Sequence, residues 1–320
     1  MNLRRSLVIG MLLATAVLAA CGPGARNGGG NGSDVDGAVN CNGTPSAENT
    51  PETCSDGIDN NCNGLIDCAD PSCSGIGSCP VCGMAEHPVS SPLVLPDGAC
   101  GDATHTSCTC TTDADCAALL PAGQQHCFDI QDGLGGHECR LSYISKLHFM
   151  GFGATQKFAA VSNIQSVCVN IAHSWMRDLD IQLVAPSGQI VELDKFGGRT
   201  GGEIYFGMAY DVEDCGTSTN VGVGADYCWT PTAVKPAMLT YAGTGTMNSV
   251  ATCSGGTTQE MPPDKYSASD PWLNLIGADL NGDWQLRVTD LWPIDEGYVF
   301  KWSIQFDPSI VQDCSGPIVQ

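Results

Sequence analysis

The chain of 320 residues contains 35 acidic and 13 basic residues, which give a formal net charge of −22 at pH 7. A protein this acidic is a poor partner for nucleic acids and for anionic lipid headgroups, so we expect it to bind neither by charge. The length allows two domains, or one large all-β domain with a small additional module.

The N-terminus has the order of a secretory signal. Arg4 and Arg5 precede an apolar run, Leu7–Leu18, which small residues and Cys21 follow. This order predicts export and cleavage. A single transmembrane helix is the alternative, but the run is shorter than the about 20 residues that a span requires. An ordinary signal peptide with a chance cysteine is the other alternative. No later stretch is long and apolar enough to span a bilayer.

The run Leu18-Ala19-Ala20-Cys21 resembles the lipobox of bacterial lipoproteins. The resemblance implies that residues 1–20 are a signal peptide and that Cys21 carries the lipid. Gly22, where Asp would favour the inner membrane, implies an exported protein anchored to the outer membrane or cell surface. Residues 21–40 are rich in Gly and Asn, so we expect a flexible linker.

The cysteine count predicts a disulfide framework. Without Cys21, eighteen cysteines remain, an even number that suits up to nine disulfides in an oxidising compartment. Thirteen lie between Cys41 and Cys139 and five follow, so full oxidation requires at least one bridge between the two groups.

Residues 41–140 form a cysteine-rich segment with few apolar residues, and we expect disulfides or metals to hold it as a module. Within it, Cys79-Pro80-Val81-Cys82 is compatible with zinc or redox chemistry, but an oxidising compartment favours structural disulfides. The cysteines from Cys108 to Cys139 resemble small cysteine-rich repeats of secreted bacterial proteins, which implies a scaffolding role.

One loop, within residues 52–73, has the spacing of calcium ligands. Counted from Asp59, oxygen-bearing side chains occupy positions 1, 3, 5, 9 and 12, and Gly64 at position 6 permits the sharp turn. This is the EF-hand loop pattern with Asp in place of the final Glu, and it predicts a Ca²⁺ site. The predicted ligands are Asp59, Asn61, Asn63, the Leu65 carbonyl, Asp67 and Asp70.

The same segment resembles the MopE-type metal-binding motif of secreted bacterial proteins. Asn61 and Asn63 stand where that motif often has Asp, which lowers the negative charge and weakens the expected affinity. We expect Cys62 and Cys68, at positions 4 and 10, to point away from the ion, where disulfides through them could replace the flanking helices. The alternative is a disulfide-tied polar turn that binds no metal.

From residue 141 to 320 the pattern changes to short, alternating apolar runs bounded by turn residues, which predict an all-β sandwich with a Gly-rich excursion over roughly 195–270. The predicted strands cover Ser166–Ile171, Asp180–Val184, Ile190–Leu193, Trp284–Val288 and Tyr298–Phe306.

Two blocks in this half, VCVNIAHSWMRDLDIQLVAPSG (167–188) and LNGDWQLRVTDLWPIDEGYVFKWSIQF (280–306), resemble the P domain of proprotein convertases and bacterial subtilisin-like proteases, although Arg177 stands where Gly is usual. The resemblance implies a jelly-roll-like β-sandwich that is not itself proteolytic. It also implies a candidate second calcium site made by Asp178, Asp180, Asp290 and Asp295.

The sequence contains no G-x-S-x-G or H-E-x-x-H motif, and its six histidines are scattered, so we expect no enzyme. We expect a surface-anchored, calcium-stabilised binding or adhesion module that presents loops to a protein or glycan. The alternatives are an accessory subunit of a subtilisin-like serine endopeptidase system and a structural envelope lipoprotein.

Overall fold

The computed structural model describes residues 41, 45–96, 108–122, 124–130, 136–198, 201–210, 220–292, 295, 297–312 and 314. The predicted signal peptide, Cys21 and the linker therefore lie outside the described residues. The strands are β1 (Met84–Val94), β2 (His126–Asp129), β3 (His137–Arg140), β4 (Ser142–Phe149), β5 (Ile164–His173), β6 (Leu179–Val184), β7 (Ile190–Asp194), β8 (Ile204–Tyr205), β9 (Ala225–Trp229), β10 (Asn248–Ala251), β11 (Thr257–Glu260), β12 (Lys265–Tyr266), β13 (Gly282–Asp290) and β14 (Gly297–Phe306).

Helical structure in the described residues is short. One α-helix, α1, covers Met238–Thr244, and none of the described helices is long and apolar enough to cross a membrane. Short 3-10 segments cover Asp67–Ala69, Pro71–Cys73, Asp113–Ala118, Val161–Asn163, Met176–Asp178, Trp272–Leu275 and Pro308–Ile310.

Two sheets form the sandwich, with strand orders β1-β14-β5-β9-β12 and β4-β13-β6-β7. Alternating residues of both sheets enter one core, among them Val169 of β5, Leu183 of β6 and Leu286 of β13. The sheets also meet through aromatic rings, since Phe306 of β14 lies 5.0 Å edge-on to Phe149 of β4. The predicted all-β sandwich is confirmed.

Strand β1 comes from the cysteine-rich segment 41–140, yet it pairs antiparallel with β14 and forms an edge of the first sheet. The backbone of Leu95 continues this contact by donating to the Gly297 carbonyl at 2.9 Å. The segment before residue 141 therefore supplies one strand of the sandwich, although its sequence shows no alternating pattern that predicts a strand.

Most described cysteines pair within the cysteine-rich segment. Cys82 instead pairs with Cys314, which confirms the expected bridge between the two cysteine groups. Cys79 and Cys82 belong to different disulfides, so their CxxC spacing is not a redox pair. The described pairs are Cys41–Cys62, Cys54–Cys73, Cys68–Cys79, Cys82–Cys314, Cys110–Cys127, Cys116–Cys139 and Cys168–Cys228.

The excursion between β7 and β13 adds to the sandwich rather than standing apart from it. Its strands β9 and β12 extend the first sheet, and Cys168–Cys228 joins β9 to β5 across the pair. A further small sheet has the order β10-β11-β8. Buried rings of Tyr227 and Tyr266 attach the excursion to the main core.

Candidate functional site

The predicted calcium loop is fixed by disulfides instead of helices. Cys62 inside the loop pairs with Cys41, and Cys68 pairs with Cys79. Gly64 has φ of 99°, a conformation that favours glycine. The turn brings the Gly64 backbone N–H to 2.8 Å from Asp59 Oδ2, so the position-1 carboxylate is oriented by the turn itself.

Four of the predicted ligands converge. Asn61 Nδ2 and Asn63 Nδ2 donate to Asp70 Oδ2 at 2.6 and 2.8 Å, and Asn63 N donates to Asp59 Oδ1 at 3.1 Å. Asp59 and Asp70 are 1% and 0% exposed. The sequence spacing therefore places two buried carboxylates and two side-chain amides around one turn.

Asp70 is held as a carboxylate. Burial alone raises the pKa of Asp70, but hydrogen bonds from the Ser72 backbone and from Asn61 and Asn63 outweigh it and hold the pKa below its usual range. The amide oxygens of Asn61 and Asn63 each accept one backbone N–H, from Asn63 and Leu65, which leaves a second lone pair. The amide nitrogens of Asn61 and Asn63 face Asp70 Oδ2 here, so these side chains would turn their oxygens inwards to hold a hard cation such as Ca²⁺.

Asp67, at position 9, is turned away from this group. Both of its carboxylate oxygens lie 3.1 Å from the Gly57 backbone N–H, which donates to them. Leu65 follows the glycine turn, and its N–H donates to Asn63 Oδ1 at 2.9 Å. Hydrogen bonds therefore connect four of the predicted ligands, Asp59, Asn61, Asn63 and Asp70. The carboxylate of Asp67 is instead bonded to Gly57.

Glu48 lies before the loop in sequence but packs against it, outside the spaced motif. It is 1% exposed, and its two carboxylate oxygens accept the backbone N–H groups of Asp67 and Asn60 at 2.8 and 3.0 Å. Burial raises the pKa of Glu48, and these N–H groups lower it in part. Because Glu48 lies outside the spaced motif, nothing in the sequence pattern predicts that it contacts the loop.

The four carboxylates of the candidate second calcium site do not form one cluster. Asp290 accepts a hydrogen bond from His173 Nε2 at 3.0 Å, and His173 Nδ1 accepts the Trp175 backbone N–H at 3.0 Å. Both side chains are buried. Asp290 pairs across the sheet with Leu179, which places Asp180 on the opposite face of β6.

Asp178 and Asp295 instead line a cleft of about 220 Å³ together with Trp175 and Trp292. We call this the tryptophan cleft. Its walls come from the β5–β6 and β13–β14 connections, which the His173–Asp290 hydrogen bond joins. Indole faces and carboxylates together can bind a cationic side chain or the hydroxyl groups of a sugar.

Comparison with known proteins finds one family model that matches part of the chain. Residues 162–222 match the model of the proprotein convertase P-domain, a range that contains the first block (167–188) and ends before the second (280–306). No curated protein matches the chain.

Two solved structures also match. One is the Aeromonas sobria serine protease in complex with the chaperone ORF2, with 14% identity and a TM-score of 0.21. The other is the A. sobria serine protease, with 13% identity and a TM-score of 0.20. Each match covers 52% of this chain but only 26% of the other. The similarity to the P domain of proprotein convertases rests on the family model over residues 162–222 alone.

Proposed function

We propose that the protein is a non-catalytic binding module, exported and anchored at the outer membrane or cell surface by a lipid on Cys21. Its tryptophan cleft binds a protein that presents basic side chains, and calcium in the Asp59–Asp70 loop stabilises the cysteine-rich segment. The observation that carries the proposal is the joint placement of Trp175, Trp292, Asp178 and Asp295 around one cleft.

The charge of the molecule supports a basic ligand. The net charge of −22 attracts positively charged partners over long distances, and two carboxylates line the cleft itself. A lysine or arginine side chain gains from both the carboxylates and the indole rings. A neutral glycan gains from the rings and from hydrogen bonds but not from the net charge.

The polar groups beside the cleft support binding rather than hydrolysis. His173 uses Nδ1 to accept the Trp175 N–H and Nε2 to donate to Asp290, so its ring is occupied on both sides. Ser174 donates to Asp295 Oδ1 at 3.1 Å instead of to a histidine. A nucleophilic serine needs a base within hydrogen-bonding reach, and these described residues do not provide that pair.

Calcium would bind among Asp59, Asn61, Asn63 and Asp70, and it would neutralise the two buried carboxylates there. The chain itself orients these groups through Gly64, Ser72 and three disulfides, Cys41–Cys62, Cys54–Cys73 and Cys68–Cys79. Because the segment has few apolar residues, the free energy of metal binding contributes directly to its folding.

The test is a fluorescence titration of the mature protein with a tri-lysine peptide and, separately, with chitotriose. We expect the peptide to bind. Trp175→Ala or Trp292→Ala should weaken binding by about two- to thirtyfold, because a cation–π contact contributes about 0.5–2 kcal/mol. Leu273→Ala, at an exposed residue in a separate turn, is the control. Binding of chitotriose alone would reject the basic ligand, and binding of neither probe would reject the cleft.

A second candidate rests on the P-domain match of residues 162–222. In it, the protein is an accessory subunit that stabilises a separate subtilisin-like serine endopeptidase. Mixing the protein with such a protease that lacks its own P domain should then raise the melting temperature of the protease. An unchanged melting temperature at saturating concentrations would exclude this role for the protease tested.

A further inference from the structure

A cavity of about 460 Å³ lies on the outer face of the β4-β13-β6-β7 sheet. Three strands form its floor, with Ile144 and Lys146 from β4, Val184 from β6, and Gln285 and Arg287 from β13. The alternate residues of these strands enter the core, so the floor side chains face away from it. The pairing register sets Gln285 beside Lys146 and Arg287 beside Ile144, so one patch of the sheet holds both cations.

The described lining of this cavity, which we call the glutamine cavity, is cationic and neutral. Lys146 and Arg287 carry positive charge, Gln124 and Gln285 carry amides, and none of the described lining residues is acidic. This composition contrasts with a chain of 35 acidic and 13 basic residues. Gln124 precedes β2, so the cysteine-rich segment supplies a wall of the cavity. Such a lining favours an anion that also forms neutral hydrogen bonds.

Arg287 is buried without an anion. It is 9% exposed, and no described carboxylate lies within ion-pairing distance of its guanidinium. Nη1 donates to Gln182 Oε1 at 3.2 Å, while Nε is buried with no hydrogen-bond partner among the described residues. Burial lowers the pKa of Arg287, and the more distant charges of Asp180 and Asp113 raise it. Because a buried cation without a paired anion is unfavourable, an anionic ligand beside Arg287 would stabilise this arrangement.

The opposite wall asks for a donor. Gln124 Oε1 is also buried without a described hydrogen-bond partner, and an amide oxygen can only accept. Rotation of the terminal bonds of Gln124 and Arg287 would turn both unpartnered atoms into the cavity. Lys146 is 56% exposed and lies 3.6 Å from Asp283, so its ammonium group keeps further N–H donors for a ligand.

We propose that the glutamine cavity binds one uronic acid unit of a glycan, with Arg287 and Lys146 on the carboxylate and Gln124 and Gln285 on the hydroxyl groups. A uronate presents an anion and O–H donors on one ring, so it matches both unpartnered atoms. A glutamate side chain of a peptide supplies the carboxylate but no hydroxyl group for Gln124.

The size and the charge of the molecule set further limits on this ligand. A cavity of about 460 Å³ is in the range of small-molecule sites. The net charge of −22 repels polyanions, which favours a ligand with a single negative charge. The cavity shares no described lining residue with the tryptophan cleft, so this site is separate from the one proposed for a basic ligand.

The experiment titrates the mature protein, by ligand-observed NMR, with cellobiouronic acid, a disaccharide with one terminal glucuronate, and with cellobiose, its neutral counterpart. We expect the acid to bind about tenfold more tightly, because hydrogen bonds to charged groups are the stronger ones. Arg287→Gln should remove that difference, and Lys146→Gln should weaken binding of the acid by about two- to fivefold. Lys157→Gln is the matched control, since Lys157 is similarly exposed and pairs with Asp279 outside the cavity.

Equal affinities of the Lys146→Gln and Lys157→Gln proteins for the acid would overturn the placement of the site. Binding of an acetyl-Ala-Glu-Ala-amide peptide without binding of cellobiouronic acid would overturn the sugar acid as ligand, and binding of neither would overturn the site itself. If circular dichroism shows that Arg287→Gln does not fold, Gln285→Glu replaces it, and its added charge should weaken binding of the acid by about tenfold. Failure of the loop or cleft proposals leaves this result unaffected, since neither region lines the cavity.

Discussion

Cys82 and Cys314 are disulfide-bonded although they are 232 positions apart, and the bond joins the start and the end of the chain segment that forms the β-sandwich. Cys82 lies two positions before β1, Cys314 lies eight positions after β14, and these two strands are neighbours in the sheet. The bond therefore covalently reinforces a strand pair that the backbone already forms.

Removal of this disulfide by Cys82→Ser/Cys314→Ser should lower the free energy of unfolding by about 2–5 kcal/mol, because a long loop is released in the unfolded chain. Denaturant unfolding provides the measurement. The Cys168→Ser/Cys228→Ser variant opens a shorter loop, since these cysteines are only 60 positions apart in sequence, and it should lower the free energy of unfolding by less. A larger loss from the second variant would contradict the ranking.

The Cys21→Ser variant should not incorporate a palmitate analogue, because the predicted lipid attachment depends on the thiol of Cys21. Metabolic labelling followed by gel fluorescence measures this directly, and the variant should accumulate as precursor or as released protein. Equal labelling of wild type and variant would refute the predicted lipid anchor.

Calcium should stabilise the folded protein and so raise its melting temperature. At calcium concentrations of one to ten times the dissociation constant, the gain in the free energy of unfolding is about 0.4–1.4 kcal/mol. Asp59→Asn should remove most of this response, because its carboxylate is buried and oriented by Gly64. Asp67→Asn should preserve more of it, because Asp67 faces the Gly57 N–H. Isothermal calorimetry measures the calcium affinity of both variants and so tests whether Asp59→Asn loses more of it than Asp67→Asn. Equal losses of affinity would instead favour the full EF-hand pattern, in which Asp67 is also a ligand.

Acidification should weaken the packing of the β2–β3 hairpin against the sandwich. Burial lowers the pKa of His126 and the charge of Arg287 lowers it further, although Asp113 raises it. The folded state therefore prefers neutral His126. Its contribution is fully present above the unfolded pKa of about 6.5 and is lost as pH falls towards the folded value.

Melting temperatures measured between pH 7.5 and pH 5 should therefore fall more steeply for wild type than for His126→Gln, which cannot gain the proton. An NMR titration of the His126 ring gives the same information for a single site. Parallel curves for the two proteins would show that His126 does not contribute to the acid response.

The sequence predicted the sandwich well where apolar residues alternate. Ser166–Ile171 lies in β5, and Trp284–Val288 lies in β13. β1 was missed because Pro88 and Pro92 interrupt its sequence, and proline argues against a central strand. The structure resolves this conflict by placing β1 at the sheet edge, where missing backbone donors are tolerated.

The candidate sites show a similar limit. Regular spacing was sufficient to find Asp59, Asn61 and Asn63, because one turn brings them together. Spacing could not place Asp178 and Asp295 in the same cleft, since that grouping depends on which strand connections lie side by side in the fold. Such contacts appear only after the strands have been paired.

The Cys82–Cys314 bond also has a mechanical consequence. If the protein is held by a lipid at its N-terminus while a ligand pulls on the tryptophan cleft, the load enters the sandwich at Cys82. The disulfide passes part of that load to Cys314, beyond the end of β14. Under such a load, edge strand β1 could not be pulled from β14 without extending the segment that this bond closes.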